Sequence, residues 1–450
     1  MSRWHLKPKR FVGSLELDGR SAPVRFAVGV SAKGSAKITI DRMPLDMSTK
    51  FIVDALDEQP TTLRFCDFTL LGEARDGSTF RADRANFHSP GFAFSDSASS
   101  TLRLAPWCGE CHLVLPAPAA AKPGIKALLR GFESIHRLSA TCKLGEVEMC
   151  GAMPGKRSET DRLSGALSIN GPAAGAEFAP WGEEVDALFK HVRSIMSFAR
   201  GARLCNPVIE RIADGKFEME VRAVTQQEAR GEGPFNAFDC GPIFRQAVAA
   251  HFSEPARRKD IAIAIEWFTM PSGFREAKLT SAMTVLENLL TANLEPSDLA
   301  ARPDKEFRDV RRAMLAAARE VLENFAPDIQ SEARKAAIDQ EIAVMRAKLA
   351  DLNRRSLLEK VQILSKRWGA PMDDISDEAL GLAKRARDHI VHRGQYVQEG
   401  SSDELMDHVR LARELVVRFV FAALEYEGPY TSPMSGEREK FFQRLAPQPD

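Results

Sequence analysis

Hydrophobic residues follow two different spacings along the chain, and the shorter period covers roughly the first 170 residues. Apolar and polar positions partly alternate there in short segments, which turn-forming pairs such as Asp18-Gly19 separate. Alternation of this kind predicts β-strands, and short strands at this spacing indicate a sandwich or barrel-like domain. The predicted strands cover residues 11–17, 24–30, 36–40, 62–71 and 78–87.

A helical period begins at Trp181. Apolar residues three and four positions apart form one broad face until Gly201, which ends the pattern. Two strand-like segments follow, at residues 206–212 and 216–223. The pattern therefore predicts that residues 176–260 form a small mixed α/β region.

From about residue 261 the pattern is helical to the end of the chain. Several apolar stripes at helical spacing predict an all-α helical bundle. A capping box formed by Ser401 and Glu404 indicates where the last long helix begins. The main stripes consist of Leu279, Met283, Leu286 and Leu290; Phe307, Val310, Met314, Ala317, Val321 and Leu322; Ile338, Ile342, Met345 and Leu349; and Leu405, Val409, Ala412, Val416, Phe419 and Ala423.

Together these patterns predict an α+β protein with three folded parts. A β-rich domain, residues 1–175, precedes the mixed connecting region at 176–260. The helical domain follows at residues 261–430, and residues 431–450 form a tail. A chain of 450 residues is long enough for two or three domains.

One helix with candidate chemistry is predicted between Ser376 and Gly394. Ser376 is a good N-cap, acidic residues follow it, and Gly394 is a C-terminal breaker. Arg387 is expected in the middle of an apolar face of this helix. A guanidinium there needs a carboxylate, a carbonyl or a partner surface, so Glu287 on an earlier helix is a candidate partner. The apolar face consists of Leu380, Ala383, Ile390 and Val391.

Arg387, Asp388 and His392 form an Arg-Asp-x-x-x-His pattern near the end of this helix. His392 lies about 140° around the helix from Arg387, so one helix does not easily aim both side chains at one atom. Two such helices facing each other could pool them. The alternative interpretation is a helix end whose basic residues complement the helix dipole. His389 and His408 are expected on the surface.

The helical part resembles an Apea-like HEPN domain. The resemblance is carried by Arg-Asp-x-x-x-His-Arg-Gly at 387–394, by Leu-Glu-Asn-Leu-Leu at 286–290 and by Leu-Glu-Tyr-Glu-Gly-Pro-Tyr at 424–430. The segment 195–201 and the β-rich N-terminus also resemble companion regions of such proteins, so the resemblance covers most of the chain. Many HEPN domains have Asn at the position of Asp388.

The resemblance implies an endoribonuclease that needs no metal and no cofactor, with the 2′-hydroxyl of the RNA as nucleophile. In this scheme His392 moves protons, because imidazole titrates near neutral pH. Arg387 stabilises the anionic phosphorane, because its fork donates to two oxygens. Asp388 is expected to orient His392 from one helical turn away. The residues expected to hold RNA phosphates near the motif are Lys384, Arg385 and Arg393.

The resemblance also implies partners and a role. Paired HEPN domains form composite sites, so we expect a homodimer or a higher homo-oligomer through the HEPN domain. Family members act in bacterial defence against phage, where the HEPN domain cleaves RNA and the rest of the protein senses infection. This implies an abortive-infection effector with a phage-derived trigger. The alternative is a catalytically silent HEPN module for binding and dimerisation.

Composition adds limits rather than chemistry. Lys+Arg and Asp+Glu are both 62, so nucleic-acid binding requires a local basic patch. No apolar run approaches the length of a membrane span, and the N-terminus lacks a signal-peptide pattern. The lack of such a run predicts that the protein has no membrane partner. Seven cysteines are an odd number for a disulfide framework, which predicts a cytoplasmic protein with reduced thiols.

Cys108 and Cys111, followed by His112, form the pattern Cys-x-x-Cys-His. This pattern attaches c-type haem, and Trp107 before it gives a similarity to thioredoxin. Haem attachment usually needs export, and thioredoxin chemistry needs a helix after the pair, whereas a strand-like run follows here. Buried free cysteines in a strand turn are therefore expected. Structural zinc is an alternative that requires two further ligands.

Overall fold

The computed structural model of the chain divides into two compact units. One consists of Met1–Arg258 and Thr269–Pro271, and the other of Lys259–Phe268 and Ser272–Asp450. The structure describes residues 8–41, 43–44, 49–57, 67–86, 91–93, 101–103, 106–151, 162–172, 177–224, 233–236, 238–253, 261, 264–266, 268–269, 274–325, 332–396, 402–435 and 439–446.

The first unit is built mainly from β-strands. Its second strand illustrates the cause, because Val24, Phe26 and Val28 are buried on one face while Arg25 between them is exposed. The strands are β1 (Lys9–Leu17), β2 (Arg20–Val30), β3 (Ala36–Ile40), β4 (Met43–Pro44), β5 (Phe68–Glu73), β6 (Thr79–Asn86), β7 (Gly91–Ala93), β8 (Thr101–Arg103), β9 (Trp107–Cys108), β10 (Glu110–Pro116), β11 (Gly124–Arg130), β12 (Leu138–Cys142), β13 (Gly145–Gly151), β14 (Leu163–Asn170), β15 (Cys205–Ala213) and β16 (Lys216–Arg222). The first part of the predicted strand at 62–71 lies outside the described residues.

Among the described residues, thirteen strands join into one antiparallel sheet. Its order is β12-β13-β14-β11-β15-β16-β10-β6-β5-β1-β2-β3, with β9 paired to β6, and β4, β8 and β7 form a separate small sheet. The region predicted to connect two domains, residues 176–260, thus supplies β15 and β16 to the main sheet. Two hairpins have two-residue turns with positive φ at both positions, Asp18-Gly19 and Asp214-Gly215, a geometry that matches the twist of the flanking strands.

The core of the sheet lies on one face of strands β1, β2, β3, β5, β6, β10, β15 and β16. Phe11 stacks on Phe26 with ring centroids 5.4 Å apart, and Phe80 meets Phe26 edge-on at 5.4 Å. Phe51 and Ile52 from the short helix α1 (Lys50–Asp57) complete this cluster. Burial of such large rings supplies much of the stabilising free energy of the unit.

Two longer helices belong to the first unit, α2 (Phe178–Arg200) and α3 (Gly241–Ala250). The helix predicted from Trp181 to Gly201 is confirmed as α2. Gly201 adopts φ 62°, and its backbone N–H donates to the carbonyl of Phe198, so it ends the helix in the left-handed conformation that glycine tolerates. The apolar face of α2 is buried, with Val185, Leu188, Val192, Ile195, Met196 and Phe198 all inaccessible.

The second unit is mainly helical, so the predicted α+β class is confirmed. Its helices are α4 (Arg275–Asn293), α5 (Pro296–Leu299), α6 (Asp304–Asn324), α7 (Glu332–Ala350), α8 (Leu357–Trp368), α9 (Asp377–Arg393) and α10 (Ser402–Leu424). Short 3-10 turns cover Asp351–Asn353 and Pro433–Ser435, and β17 (Gly428–Thr431) pairs with β18 (Glu439–Phe442). Within the described ranges, no helix combines the length and apolarity that spanning a bilayer requires.

Helix α10 is the centre of the second unit and packs against both α4 and α9. Its second half is buried on all sides, and Val416, Val417, Phe419 and Val420 are fully inaccessible. A helix of this kind needs neighbours all around it. Leu286 and Leu290 of α4 are also inaccessible, as their predicted stripe requires.

The stripe predicted on α6 is not a core stripe. Val310, Met314 and Val321 are exposed, and α6 has no fully buried residue. Its main neighbour is α7, whose Ile338 and Ile342 are buried. A two-helix hairpin covers only one side of each helix, which leaves the rest of this broad apolar face in water.

The segment predicted as a tail, residues 431–450, begins inside the helical unit. Phe442 of β18 is buried and its ring centroid lies 5.4 Å from that of Phe421 on α10. Ser432 is also fully buried. The hairpin of β17 and β18 is therefore part of the packing around α10.

Candidate active site

Helix α9 begins and ends where the sequence predicts. The hydroxyl of Ser376 accepts a hydrogen bond from the backbone N–H of Ala379 at 3.1 Å, which caps the first turn. Gly394 adopts φ 76° and its N–H donates to the carbonyl of Ile390 at 2.8 Å. These caps fix the two ends of the helix that carries the Arg-Asp-x-x-x-His pattern.

The buried face of α9 is rotated from its predicted position. Leu380, Ala383, Ala386 and Ile390 are its buried residues, whereas Val391 is 53% exposed. The expectation that Val391 belongs to the core face is therefore wrong. The observed buried face includes Ala386 in place of the predicted Val391. At about 100° per residue, this difference moves the centre of the face away from position 387. Arg387 consequently lies at the edge of this face rather than in its middle.

Arg387 is held by two carboxylates. Its Nη2 donates to Oε2 of Glu287 on α4 at 3.1 Å, and its Nη1 donates to Oδ1 of Asp388 at 3.1 Å. The predicted pairing of Glu287 with Arg387 is thus confirmed. The Nε of Arg387 is buried and has no hydrogen-bond partner among the described residues. The pair with Glu287 joins α9 to α4.

Asp388 binds two cations rather than His392. Its Oδ2 accepts from Nζ of Lys384 at 3.1 Å, one turn earlier, while Oδ1 accepts from Arg387. Burial raises the pKa of Asp388, but the hydrogen bonds from Lys384 and Arg387 outweigh it and leave the pKa below its ordinary value. Within the described chain no hydrogen bond joins Asp388 to His392, so the expected orienting contact is absent. Lys384 and Arg387 both carry a positive charge, and each forms a charge-assisted hydrogen bond to this carboxylate.

His392 and Arg393 occupy the exposed last turn of α9. Positive charge at this end complements the helix dipole, as the alternative interpretation of the pattern requires. Arg385 is exposed, whereas Lys384 is half-exposed and engaged with Asp388. One copy of the chain therefore brings Arg387, Asp388 and Lys384 together but does not bring His392 to them.

A buried polar network on α10 is missing from the sequence-based predictions. Glu414 is completely buried and Arg418 is 3% exposed, and Nε of Arg418 donates to Oε1 of Glu414 at 2.8 Å. Arg418 also donates to both oxygens of Asp374, at 2.6 and 2.8 Å. The hydroxyls of Tyr430 and Ser432 donate to Glu414 at 2.6 and 2.7 Å. The network ties the loop before α9 and the hairpin after α10 to one point on α10.

The electrostatics of this network favour the charged forms of Asp374 and Arg418. The hydrogen bonds from Arg418 and then Lys440 hold the pKa of Asp374 well below its usual range, although burial opposes them. Burial lowers the pKa of Arg418, but Asp374 and Glu414 more than reverse this. The sequence carries one signal for it, a Glu and an Arg four residues apart within an apolar stretch of helix.

His408 does not lie on the surface as expected. It is 8% exposed on α10, and its ring centroid is 6.3 Å from that of Tyr396. Burial lowers its pKa, against the opposing effect of Glu404 and Asp407. The periodicity of one helix shows that His408 lies on its polar side, but it does not show which other segments cover that side.

Cys108 and Cys111 are buried free thiols, as the strand-like context predicts. They flank the junction of β9 and β10 and form part of the core of the sheet. A hydrogen bond between the two thiols lowers the pKa of Cys108 despite its burial, and the same contact together with burial raises that of Cys111. In the described residues, no group of three or more His, Cys, Asp and Glu side chains is placed to hold a metal ion.

Comparisons with known proteins found no match to this chain. No family model matches it, and neither a curated protein nor a solved structure does. The functional interpretation therefore depends on the residues of α9 and on the helices that hold them.

Proposed function

We propose that the chain is a metal-independent endoribonuclease of the HEPN type. The 2′-hydroxyl of the RNA attacks the adjacent phosphorus, and the bond from phosphorus to the 5′-oxygen breaks. One product ends in a 2′,3′-cyclic phosphate and the other in a 5′-hydroxyl. His392 takes the proton from the attacking oxygen or gives one to the leaving oxygen, and Arg387 donates to the phosphorane oxygens. Asp388 acts through Arg387, to which its carboxylate is bound.

The accessibility of the two central groups is the observation that carries this proposal. Arg387 keeps 25% of its side chain exposed at the edge of the helical core. His392 is exposed about 1.4 turns further along the same helix. A phosphate can therefore approach either group from solvent, and the exposed Arg385 and Arg393 add positive charge along the same helix.

The proposal includes a site completed by a second copy of the chain. His392 is about 140° around the helix from Arg387, so the two side chains of one copy point in different directions. A twofold axis between two copies could bring Arg387 of each copy close to His392 of the other. The functional form is then a homodimer or a higher homo-oligomer joined through the helical unit.

The proposed biological role is that of an abortive-infection effector in the cytoplasm. The first unit, built on the large antiparallel sheet, is then the part that responds to a phage-derived trigger. Its size, Met1–Arg258, is far beyond that of a linker. RNA cleavage by the helical unit is the output.

A specific observation favours the alternative, a silent binding and dimerisation module. Arg387 makes a salt bridge to Glu287 and another to Asp388, which is the geometry of a structural tie between α4 and α9. In the part of the chain that the structure describes, Asp388 makes no hydrogen bond to His392. If this alternative holds, the wild-type protein does not cleave RNA, and Arg387→Ala only destabilises the helical unit.

A nuclease assay on purified protein tests the proposal. Total RNA and transfer RNA are incubated with the full chain from uninfected and phage-infected cells, and product ends are analysed. Fragments with 2′,3′-cyclic phosphate ends that form in EDTA support the proposal. Intact RNA in every sample supports the silent module.

A further inference from the structure

The charges around Arg387 oppose the binding of a phosphate in the observed arrangement. Two carboxylates, Glu287 and Asp388, lie 3.1 Å from its terminal nitrogens, and Nε is buried. Adding Lys384 brings the count of the cluster to two positive and two negative groups. An RNA phosphate meets a neutral cluster in which the best donors are already engaged.

The two carboxylates differ in how they are held. Asp388 is adjacent to Arg387 in sequence and is also bound by Lys384, so two cations on its own helix hold its carboxylate in place. Glu287 comes from a different helix and its side chain is 42% exposed. Of the residues that the structure describes, Arg387 is its sole ion-pair partner. Glu287 is therefore the carboxylate that an incoming anion displaces most easily.

From this geometry we infer that Glu287 is a latch on Arg387: it occupies Nη2 in the resting protein, and an RNA phosphate replaces it there. The exchange conserves the number of charge-assisted hydrogen bonds on the guanidinium, because one anionic oxygen leaves as another arrives. Glu287 is a positioning residue in this scheme, since it touches Arg387 and not the RNA. The inference depends on the proposed function, because it requires that Arg387 receives a phosphate.

The latch predicts that removing the charge of Glu287 strengthens RNA binding. Partly exposed ion pairs are weak, so the expected gain for Glu287→Gln is roughly two- to fivefold in affinity. The gain should shrink as salt is raised, because screening weakens both the latch and the phosphate contact. A purely structural role for Glu287 predicts the opposite sign, since loosening Arg387 weakens binding.

Fluorescence anisotropy with a labelled, 2′-O-methylated RNA measures binding without cleavage in the full-length protein. The matched control is Glu276→Gln, which removes the same charge from the same helix, about 16 Å away by helical rise. We expect tighter binding for Glu287→Gln, unchanged binding for Glu276→Gln, and no gain when Glu287→Gln is added to Arg387→Ala. If Glu287→Gln does not fold, Glu287→Ser carries the same test.

The outcomes separate this inference from the proposed function. If Arg387→Ala loses RNA binding or cleavage while Glu287→Gln binds equally well or more weakly, the latch is wrong and the ribonuclease proposal stands. If Arg387→Ala changes neither binding nor cleavage, both are wrong.

Discussion

Glu287 and Arg387 lie 100 positions apart in the sequence, and the Oε2 of one is 3.1 Å from the Nη2 of the other. This contact joins α4, which carries one segment of the HEPN resemblance, to α9, which carries the Arg-Asp-x-x-x-His pattern. It explains how a guanidinium is accommodated beside a buried helix face. It also means that the chemistry of Arg387 depends on a residue from another helix.

The first prediction concerns the buried pair of Glu414 and Arg418. Glu414→Ala should reduce the free energy of unfolding of the helical unit by about 3 to 5 kcal/mol, because it leaves the Nε of the buried Arg418 and the hydroxyls of Tyr430 and Ser432 without their acceptor. Urea unfolding followed by circular dichroism measures this. The control, Asp407→Ala, removes the exposed partner of Arg410 and should cost no more than about 1 kcal/mol. Equal losses in the two variants would show that the network contributes nothing beyond a surface pair.

The second prediction concerns stability in acid. The folded-state pKa of Asp374 is depressed below its ordinary value of 3.8. Its contribution to stability is therefore complete above that value and is lost as the pH falls through the folded-state pKa. Asp374→Asn should be less stable than the wild type at neutral pH, and the difference should narrow below about pH 4. Melting temperatures measured across this range check it, and a difference that stays constant or widens in acid contradicts it.

The third prediction tests the composite site. If Arg387 of one copy works with His392 of another, mixing Arg387→Ala protein with His392→Ala protein should restore activity. Random pairing makes half of the dimers mixed, and one of their two sites is intact, so about a quarter of wild-type activity is expected. The mixture must be allowed to exchange subunits before the assay. Two inactive variants that stay inactive after exchange would place the whole site in one copy.

The fourth prediction concerns Cys108 and Cys111. Replacing both by Ala should leave RNA cleavage at the wild-type rate and reduce stability only by the small amount typical of a lost buried thiol. The absorbance spectrum of the wild-type protein should contain no haem band. A folded double variant without activity would assign these thiols a function that the strand context does not predict.

The sequence predicts the features that depend on local residues. Asp18-Gly19 forms the expected two-residue turn, and Ser376 and Gly394 bound α9, because turns and caps need only a few neighbouring residues. The contact of Glu287 with Arg387 was also predicted, since a guanidinium on an apolar helix face requires a carboxylate, a carbonyl or a partner surface.

The sequence does not predict features that depend on which remote segment covers a surface. Periodicity shows that Val310 and Met314 share an apolar face, but not that this face is left exposed. His408 and Glu414 look polar within their helix, yet other segments of the helical unit bury them. The predicted contact of Asp388 with His392 was wrong for a different reason, because Lys384 and Arg387 on the same helix hold the carboxylate instead.

The most direct test of the ribonuclease proposal is cleavage by single variants in the presence of EDTA. His392→Ala and Arg387→Ala should each lower the rate by a factor on the order of 10² to 10⁴, and Arg387→Lys should also fail because it lacks the fork. Asp388→Asn should be milder, and His389→Ala, on the same helix, is the control expected to keep the wild-type rate. The wild-type rate should be the same with and without EDTA. Activity that needs magnesium, or that persists at the wild-type rate in His392→Ala, would contradict the assignment.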